Sequence, residues 1–302
     1  MLIKNRNESM ELVILKLLHA RMKLTGNEQQ HHLNLKKGLE GEMKFDSLIA
    51  NLNSKFLILN DLLLESNKTT FQIDSLLITQ DAIIPFEVKN YEGNYYYQDK
   101  NFHICSTGKE ITNPLHQLNR IETLLRQFLQ KYGFNLSIKG YLTFVNPEFF
   151  LYNAPQNEKM IFPPQLNYLI KNLNMKPSNL NSLHRKLADL LIQAHISESP
   201  YTRLPTYHYG QLRKGITCAA CQSFLLIISE RKVVCDQCGH KENIQTAVVR
   251  SVEEFKLLFP DTKVTTNTVY DWCQLVKSKK IIWRILREHY KTIGYGQWSY
   301  YE

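Results

Sequence analysis

The sequence predicts an α/β fold in which helices flank a mixed sheet, followed by a small cysteine-rich unit and a short helical module. Three observations predict it. Residues 38–150 show helical and extended apolar patterns in the order helix, three strands, small hairpin, helix, strand. Cysteines then fall in two closely spaced pairs, and residues 250–302 return to a helical period. With 302 residues, 43% of them hydrophobic, the chain is long enough for two or three compact units, which excludes wholesale disorder and collagen.

Residues 1–37 predict a basic helical lead-in that ends near Thr25-Gly26-Asn27 and packs on the next domain. Its apolar stripe consists of Leu12, Leu15, Leu17, Leu18 and Met22. A second helix is expected from Gly38 to about Asn51. Glu42 then falls in the first turn of that helix, where a carboxylate suits the helix dipole.

Extended apolar runs follow, and they predict the strands of the sheet. The three long runs are residues 55–64, 70–79 and 82–89. A small hairpin, a long helix and a last strand complete the domain, at residues 95–98 and 102–105, from Asn113-Pro114 to Gly133, and at 138–145.

Asp74, Glu87 and Lys89 are linked by strand register. A hairpin that turns at Gln80-Asp81 places Asp74 directly opposite Glu87, and Lys89 lies two residues on, so all three share one face. The opposite face receives apolar side chains, namely Ile73, Phe86 and Val88. Two facing carboxylates repel each other unless a cation lies between them, and Mg²⁺ prefers carboxylate oxygens and can bridge to a phosphate. The alternative is a solvated group of surface salt bridges.

Two further features bear on this cluster. A neighbouring lysine can orient or help to deprotonate an attacking water and can offset developing charge. Pro85 removes a ladder donor two residues before Glu87, which predicts an edge or bulged strand.

These residues resemble the active-site signature of the PD-(D/E)xK nuclease superfamily, in which an Asp is followed, a strand's length later, by Glu-x-Lys. More narrowly, they are similar to the NERD (nuclease-related domain) family. The motifs that carry this resemblance span about residues 36–146 and are Gly38-x-x-Gly41-Glu42, Gln72-Ile73-Asp74, Phe86-Glu87-Val88-Lys89-Asn90-Tyr91-x-Gly93 and Asn113-Pro114-x-x-Gln117.

The resemblance implies a restriction-endonuclease-like mixed sheet and a role for each matching residue. Asp74 and Glu87 are implied as ligands of Mg²⁺ or Mn²⁺, and Lys89 as the catalytic lysine. Glu42 is implied as a helix carboxylate near the metal, and Gln117 as a residue of the last core helix that reaches the site. A first-turn residue that suits the dipole and an ordinary helix amide remain the alternatives for Glu42 and Gln117.

Two cysteine pairs, Cys218-x2-Cys221 and Cys235-x2-Cys238, have the spacing of a four-thiolate zinc site. Residues 218–240 resemble a zinc ribbon, with strands at 224–229 and 232–234 that turn near Glu230-Arg231. A closed four-ligand site has no open position, so Zn²⁺ would be structural. Two disulfides and coincidence are the alternatives. His240 is an unneeded fifth candidate, and Cys105 and Cys273 are expected in the core.

Residues 151–217 predict a connector with helices at 165–173 and 180–196, and residues 250–302 predict a module that weakly resembles a winged helix-turn-helix. The helices of this module are expected at 251–259, 266–277 and 279–291. The third helix has a basic face of Lys277, Lys279, Lys280, Arg284, Arg287 and Lys291, which suits either phosphates or plain solvation. Three aromatic residues of the tail could stack on bases, but C-terminal packing is their favoured use; they are Tyr295, Trp298 and Tyr300.

The sequence as a whole favours a metal-dependent nuclease that acts on DNA or, second, RNA. A formal charge of +9 suits a polyanionic partner. No stretch approaches the roughly 18 apolar residues that span a bilayer, so we expect a cytoplasmic protein without a membrane partner. The alternative is a nucleic-acid-binding or protein-binding scaffold whose nuclease-like domain does not cut. A zinc enzyme is disfavoured because all four thiolates would already be used. Oligomeric state leaves no sequence signal.

Overall fold

The structure, a computed structural model, describes residues 1–53, 55–224, 226–229 and 232–302. The chain divides into two compact units. The first consists of Met1–Ser9 and Leu33–Thr202, and the second of Met10–His32 and Arg203–Glu302. Both units are therefore discontinuous in sequence. The finer division into a lead-in, a nuclease-like domain, a connector, a ribbon and a helical module stays a prediction.

The α/β class is confirmed, with a central mixed sheet flanked by helices. The elements run in chain order as β1 (Leu2–Lys4), α1 (Met10–Arg21), α2 (Gly26–Ala50), β2 (Leu57–Ser66), β3 (Thr69–Ile78), β4 (Ala82–Lys89), β5 (Gly93–Gln98), β6 (Asn101–Ile104), β7 (Glu110–Ile111), α3 (Pro114–Lys131), β8 (Ser137–Ile138), β9 (Tyr141–Phe144), β10 (Phe149–Tyr152), β11 (Met160–Ile161), α4 (Leu166–Asn174) and α5 (Ser182–Gln193).

The N-terminal segment differs from its predicted helical lead-in. It begins with the strand β1, and Thr25-Gly26-Asn27 begins a helix instead of ending one. Thr25 donates its N–H to Glu28 Oε2 at 2.8 Å, and Glu28 donates its N–H to Thr25 Oγ1 at 3.4 Å, which is the reciprocal pattern of a capping box. Glu42 therefore lies deep inside the 25-residue helix α2. Its predicted first-turn position, and the dipole role with it, are wrong.

The central sheet has the order β1-β2-β3-β4-β9-β11, with β8 also paired to β4. Strands β2, β3 and β4 are antiparallel neighbours, whereas β1 and β9 run parallel to β2 and β4. Helices cover both faces. One face packs on α3 and α5 through Leu125, Phe128, Leu187 and Leu191. The other packs on α2 and α4 through Phe45, Ile49, Leu169 and Leu173.

The predicted hairpin register of β3 and β4 is confirmed, because Ser75 pairs with Phe86 and Ile78 with Ile83. The predicted face of Ile73 is wrong. Ile73 packs in the same cluster as Leu76, whereas Phe86 packs in the cluster on the other face. The side chains of β3 therefore stop alternating regularly between the two faces of the sheet at a point between Ile73 and Leu76. Opposite this point β2 contains Asp61, whose φ of 53° is in the left-handed region.

Pro85 lies in the interior of the sheet, so its predicted edge position is wrong. Strand β4 has β3 on one side and β8 and β9 on the other. The parallel neighbour is interrupted at Lys139-Gly140, and pairing resumes at Phe86 with Tyr141. The missing N–H of proline therefore falls beside an interruption. Gly140 gives its own N–H to Glu122 of α3 at 2.8 Å.

The second unit contains α1 and the C-terminal elements. These are β12 (Leu226–Ser229), β13 (Lys232–Cys235), β14 (Lys241–Asn243), α6 (Ile244–Leu258), α7 (Thr266–Cys273), α8 (Lys279–His289), β15 (Thr292–Ile293) and β16 (Tyr300–Tyr301). Helix α6 begins earlier than predicted because Asn243 caps it, accepting the N–H of Gln245 at 2.8 Å. The predicted turn at Glu230-Arg231 lies outside the described residues. No helix in the described part of the chain is long and apolar enough to cross a membrane.

Candidate functional site

Asp74 and Glu87 come together where the β3–β4 ladder ends. The last ladder pair is Ser75 with Phe86. Beyond it, Asp74 Oδ2 accepts the backbone N–H of Val88 at 2.8 Å, so a carboxylate replaces the next main-chain acceptor. Asp74 is 7% exposed and Glu87 is 1% exposed. Burial this deep contradicts the alternative of a solvated surface salt-bridge group.

The side chain of Lys89 lies on the same face of β4 as that of Glu87. Residues two apart on a strand point the same way, and Lys89 Nζ lies 2.6 Å from Glu87 Oε1. The same ammonium donates to Gln117 Oε1 at 3.1 Å. The structure therefore brings Asp74, Glu87, Lys89 and Gln117 together, as the sequence predicts.

The start of α3 aims Gln117 at the site. Asn113 is the N-cap, and its Oδ1 accepts the N–H of Leu115 at 2.9 Å. Its amide nitrogen donates to the carbonyl of Lys100 at 2.7 Å, which ties the cap to the preceding hairpin. Pro114 occupies the first helical position, where no N–H is needed. Gln117 follows about one turn later.

Gly41 allows α2 to approach the end of β4. A Cβ at this position would lie 2.4 Å from the Cβ of Asn90. Asn90 in turn donates to the backbone carbonyl of Lys37 at 2.7 Å. The glycine therefore has a packing reason, and the close approach carries Glu42, the next residue of α2, towards the carboxylates of the sheet.

Arg6 joins Glu42 to Asp74, and sequence reasoning missed it. Its guanidinium donates to Glu42 Oε2 at 2.5 Å, to Asp46 Oδ2 at 2.8 Å and to the backbone carbonyl of Asp74 at 2.6 Å. The side chain is 5% exposed. A lone arginine in a basic N-terminal segment carries no signal by itself, because the pairing of β1 with β2 is what brings it to the site.

The carboxylates of the site resist ionisation because they are crowded and shielded from water. Burial and the Asp74 carboxylate raise the pKa of Glu87 to about 8, although the Lys89 ammonium acts against them. Burial and Asp74 also raise the pKa of Glu42 to about 7, against the effect of Arg6. Burial raises the pKa of Asp74 above its ordinary value. A divalent cation would relieve this repulsion.

The residues at the end of the ladder fit a hard divalent ion. Glu87 Oε2 is buried and has no hydrogen-bond partner among the described residues, so it is an oxygen available to a cation. Asp74 supplies a second carboxylate, and Mg²⁺ is commonly held by one or two carboxylates and several waters. Within the described ranges, Asp74, Glu87 and Glu42 do not form a set whose ligand oxygens all lie within 4.8 Å of one another. Glu42 is instead engaged by Arg6.

Residues 37–145 match the family described as the nuclease-related domain, NERD. The chain contains a NERD domain. The match covers the strands of the central sheet from β2 to β9, the helix α3 and the part of α2 that carries Glu42, and it supports a nuclease-like function. No curated protein matches the chain.

Can2 from Sulfobacillus thermosulfidooxidans, solved in complex with cyclic tetra-adenylate (cA4), is a structure with partial similarity. Sequence identity is 15%, the TM-score is 0.30, and the alignment covers 55% of this chain and 50% of that chain. The matched part thus spans about half the length of Can2, and similarity at this level bears on neither the mechanism nor the ligand of the NERD domain.

C-terminal to the NERD domain, the four paired cysteines converge. Their Sγ atoms all lie within 4.8 Å of one another, with Cys218 and Cys238 at 3.7 Å and Cys221 and Cys235 at 3.6 Å. A tetrahedron with Zn–S bonds of about 2.3 Å has edges of about 3.7 Å. Disulfide sulfurs would be about 2.05 Å apart, so the structure has no disulfide at these pairs.

The two cysteine pairs have matching turns. Gln222 and Gly239, the residues that follow each pair, have φ values of 58° and 72°. Each donates its N–H to the carbonyl of the first cysteine of its pair, at 2.9 Å in both cases. This repeated turn aims the thiols inward, and the cluster can bind a structural metal such as zinc. His240 is not part of the cluster among the described residues.

Other predicted residues lie as follows. Cys273 is buried as expected, whereas Cys105 is exposed, so its predicted core position is wrong. Tyr295 is 93% exposed and Trp298 is 80% exposed, which contradicts the expectation of C-terminal packing for them. Tyr300 is half-buried. The sequence offered no means of separating exposed from packed aromatics in so short a tail.

Proposed function

We propose that the NERD domain of this chain is a metal-dependent nuclease that hydrolyses phosphodiester bonds of nucleic acid, with DNA as the favoured substrate. The observation that carries the proposal is the pair of buried carboxylates, Asp74 and Glu87, with Lys89 Nζ 2.6 Å from Glu87. Burial without full charge compensation is costly, and such clusters are typical of functional sites.

Asp74 and Glu87 would hold Mg²⁺ or Mn²⁺, and the free Oε2 of Glu87 supports this assignment. When bound, the ion supplies Lewis-acid stabilisation of the charge that develops on the phosphate. Lys89 would donate to the attacking water, which would fix the water in line with the bond that breaks. It could equally donate to a phosphate oxygen and offset the charge that develops there. Gln117 would hold the Lys89 ammonium in place through its 3.1 Å contact.

Glu42 has a different proposed role from the one expected of a metal ligand. Its carboxylate pairs with Arg6, which also holds the backbone of Asp74. We therefore assign Glu42 to the support of the Asp74 strand end. We also propose that the four cysteines bind one structural Zn²⁺, since their sulfur spacing fits a closed tetrahedral site.

Cleavage of plasmid, linear duplex, single-stranded DNA and RNA with Mg²⁺ and Mn²⁺ tests the nuclease proposal. The variants are Asp74→Asn and Lys89→Met, and their matched controls are Asp81→Asn and Lys171→Met, which alter exposed residues of the same unit. We expect cleavage by the wild type and both controls and a loss of at least 100-fold in the two site variants.

Two outcomes would contradict the proposal. Cleavage that survives in both site variants would mean that another site cuts. Metal-independent binding of nucleic acid without cleavage by the wild type would support the alternative, a nucleic-acid-binding scaffold with an inactive nuclease-like domain.

A further inference from the structure

Helix α8 presents a row of cations to solvent. Its buried side, Ile282, Ile285 and Leu286, packs in the core of the second unit, which fixes the direction of the opposite side. That opposite side carries exposed basic residues, namely Lys279, Lys280, Arg284 and Arg287. The helix contains one carboxylate, Glu288, which accepts a hydrogen bond from Gln245 at 2.5 Å. The exposed face of α8 is therefore strongly positive.

The cations of this face differ in how they are engaged. Lys279 donates to Asn267 Oδ1 at 2.8 Å, and its ammonium lies 5.3 Å from the centroid of the Tyr270 ring. In the part of the chain that the structure describes, Lys280, Arg284 and Arg287 form no ion pair with a carboxylate. Arg287 instead lies over the ring of Trp283, with its guanidinium carbon 4.9 Å from the ring centroid. The positive charges of such a row repel one another unless an anionic partner is bound, so this face is suited to a polyanion.

The hairpin that follows α8 adds exposed aromatic rings. Strands β15 and β16 pair through Thr292 with Tyr301, and the buried Tyr301 donates its N–H to Val264 at 2.9 Å. The hairpin is thus anchored to the unit. Its turn carries Tyr295 and Trp298, 93% and 80% exposed, while Trp283 on α8 is 43% exposed. Large rings that are exposed to water and follow a cationic helix directly in the chain are typical of surfaces on which bases stack.

We infer that α8 and the 294–299 turn form a surface that binds nucleic acid with unpaired bases. The cations contact phosphates and the aromatic rings stack on bases, a combination that tolerates any sequence. The inference rests on the proposed nuclease function for its ligand class. An anionic membrane is a poorer fit, because the aliphatic side of α8 is committed to the core and is not free to insert between lipids.

The inference is tested with full-length, zinc-loaded protein in buffer without added Mg²⁺ or Mn²⁺ and without a chelator, so that the zinc site stays filled. The protein is titrated into a labelled 30-nucleotide single strand and the matched blunt duplex at several salt concentrations. One variant is Arg284→Ala with Arg287→Ala, and the other is Tyr295→Ala with Trp298→Ala. Arg185→Ala with Lys186→Ala on α5 is the control, since both residues are exposed neighbours on a helix. All four changed sites of the two test variants are exposed, so folding is expected to persist.

The two test variants should differ in the salt dependence of their affinity and in their preference for single strand over duplex. We expect the arginine variant to bind the single strand at least tenfold more weakly, with the slope of log K against log salt reduced by about 1.4, about 0.7 for each phosphate contact. The aromatic variant should lose about tenfold for the single strand and little for the duplex, with an unchanged salt slope, because stacking releases no counterions. The control should bind like the wild type.

Affinity for the single strand within twofold of wild type in both variants would overturn the inference, and so would a wild type that does not bind the strand. Tighter binding to vesicles of 70% neutral and 30% anionic lipid, lost in the arginine variant, would assign the surface to a membrane instead. Asp74-dependent cleavage with unchanged binding in the variants would leave the nuclease proposal standing without this inference. Binding that is lost in the variants, together with no cleavage by the wild type, would support this inference and contradict the nuclease proposal.

Discussion

Arg6 donates to the backbone carbonyl of Asp74 at 2.6 Å, so a hydrogen bond ties the N-terminal segment directly to the candidate metal ligand. The same guanidinium bridges Glu42 and Asp46 on α2. It thereby holds the carboxylate-bearing face of a helix against the end of a strand. We expect this link to control both the stability of the first unit and the position of Asp74.

Arg6→Met should lower the free energy of unfolding by about 2–4 kcal/mol, because it leaves two partly buried carboxylates without their cation. Arg6→Lys should recover part of the stability but not the forked geometry. If Arg6 positions Asp74, the lysine variant will need several times more Mg²⁺ for half-maximal cleavage. Urea denaturation and metal titration measure the two effects.

Lys37→Met is the control for this comparison, since the Lys37–Glu92 bridge is exposed to solvent and should contribute little to stability. Equal destabilisation by Arg6→Met and Lys37→Met would contradict the proposed role of Arg6.

Gly41→Ala should destabilise the fold by about 1–3 kcal/mol, because the new methyl group would overlap the Cβ of Asn90. Gly38→Ala, three residues earlier in the same helix, meets open space and should stabilise by up to about 1 kcal/mol. Thermal unfolding measures both. Asn90→Gly removes the overlapping atoms but also the hydrogen bond to Lys37, so the cost of Gly41→Ala is measured in both backgrounds. It should be smaller in the Asn90→Gly background, and an equal cost in both would place the cause elsewhere.

Mg²⁺ should raise the melting temperature of the wild type in proportion to the logarithm of its concentration above Kd, because the ion binds the folded state. Asp74→Asn should abolish this rise, whereas Asp81→Asn should retain it. This readout is independent of cleavage, so it separates metal binding from catalysis. A rise of equal size in Asp74→Asn would exclude Asp74 as a ligand.

Cys221→Ser should abolish tight binding of the structural metal, and elemental analysis should find about one Zn²⁺ per chain in the wild type and none in the variant. Cys105→Ser, at an exposed cysteine outside the cluster, should keep full zinc content. Zinc retained in Cys221→Ser would show that the four thiolates are not the ligand set.

The parts of the site that depend on local pattern could be predicted from the sequence. Strand alternation and a short turn are enough to place Asp74 beside Glu87, and spacing alone brings the cysteines together. The sequence predicts a helix end at Thr25-Gly26-Asn27, where the structure has a helix start, because these residue types occur at both ends of helices. The contact of Thr25 with Glu28 decides between the two.

Long-range features left no such signal. Arg6 reaches the site through a parallel pairing of β1 with β2, across more than fifty residues of chain. The alternation of side chains along β3 reverses between Ile73 and Leu76, opposite the left-handed Asp61 of β2, whereas the sequence of β3 continues the alternation unbroken. Both are set by tertiary pairing, which periodicity cannot report.

The discontinuity of the first unit limits how the nuclease-related segment can be studied in isolation. A fragment cut to residues 37–145 would lack Arg6, and it would also lack α4 and α5, whose leucines cover the two faces of the sheet. Such a fragment would expose two apolar surfaces and release Asp74 from its support. Inactivity or precipitation of that fragment would therefore reflect the loss of Arg6 and of the covering helices, and it would not show that the NERD domain lacks catalytic residues.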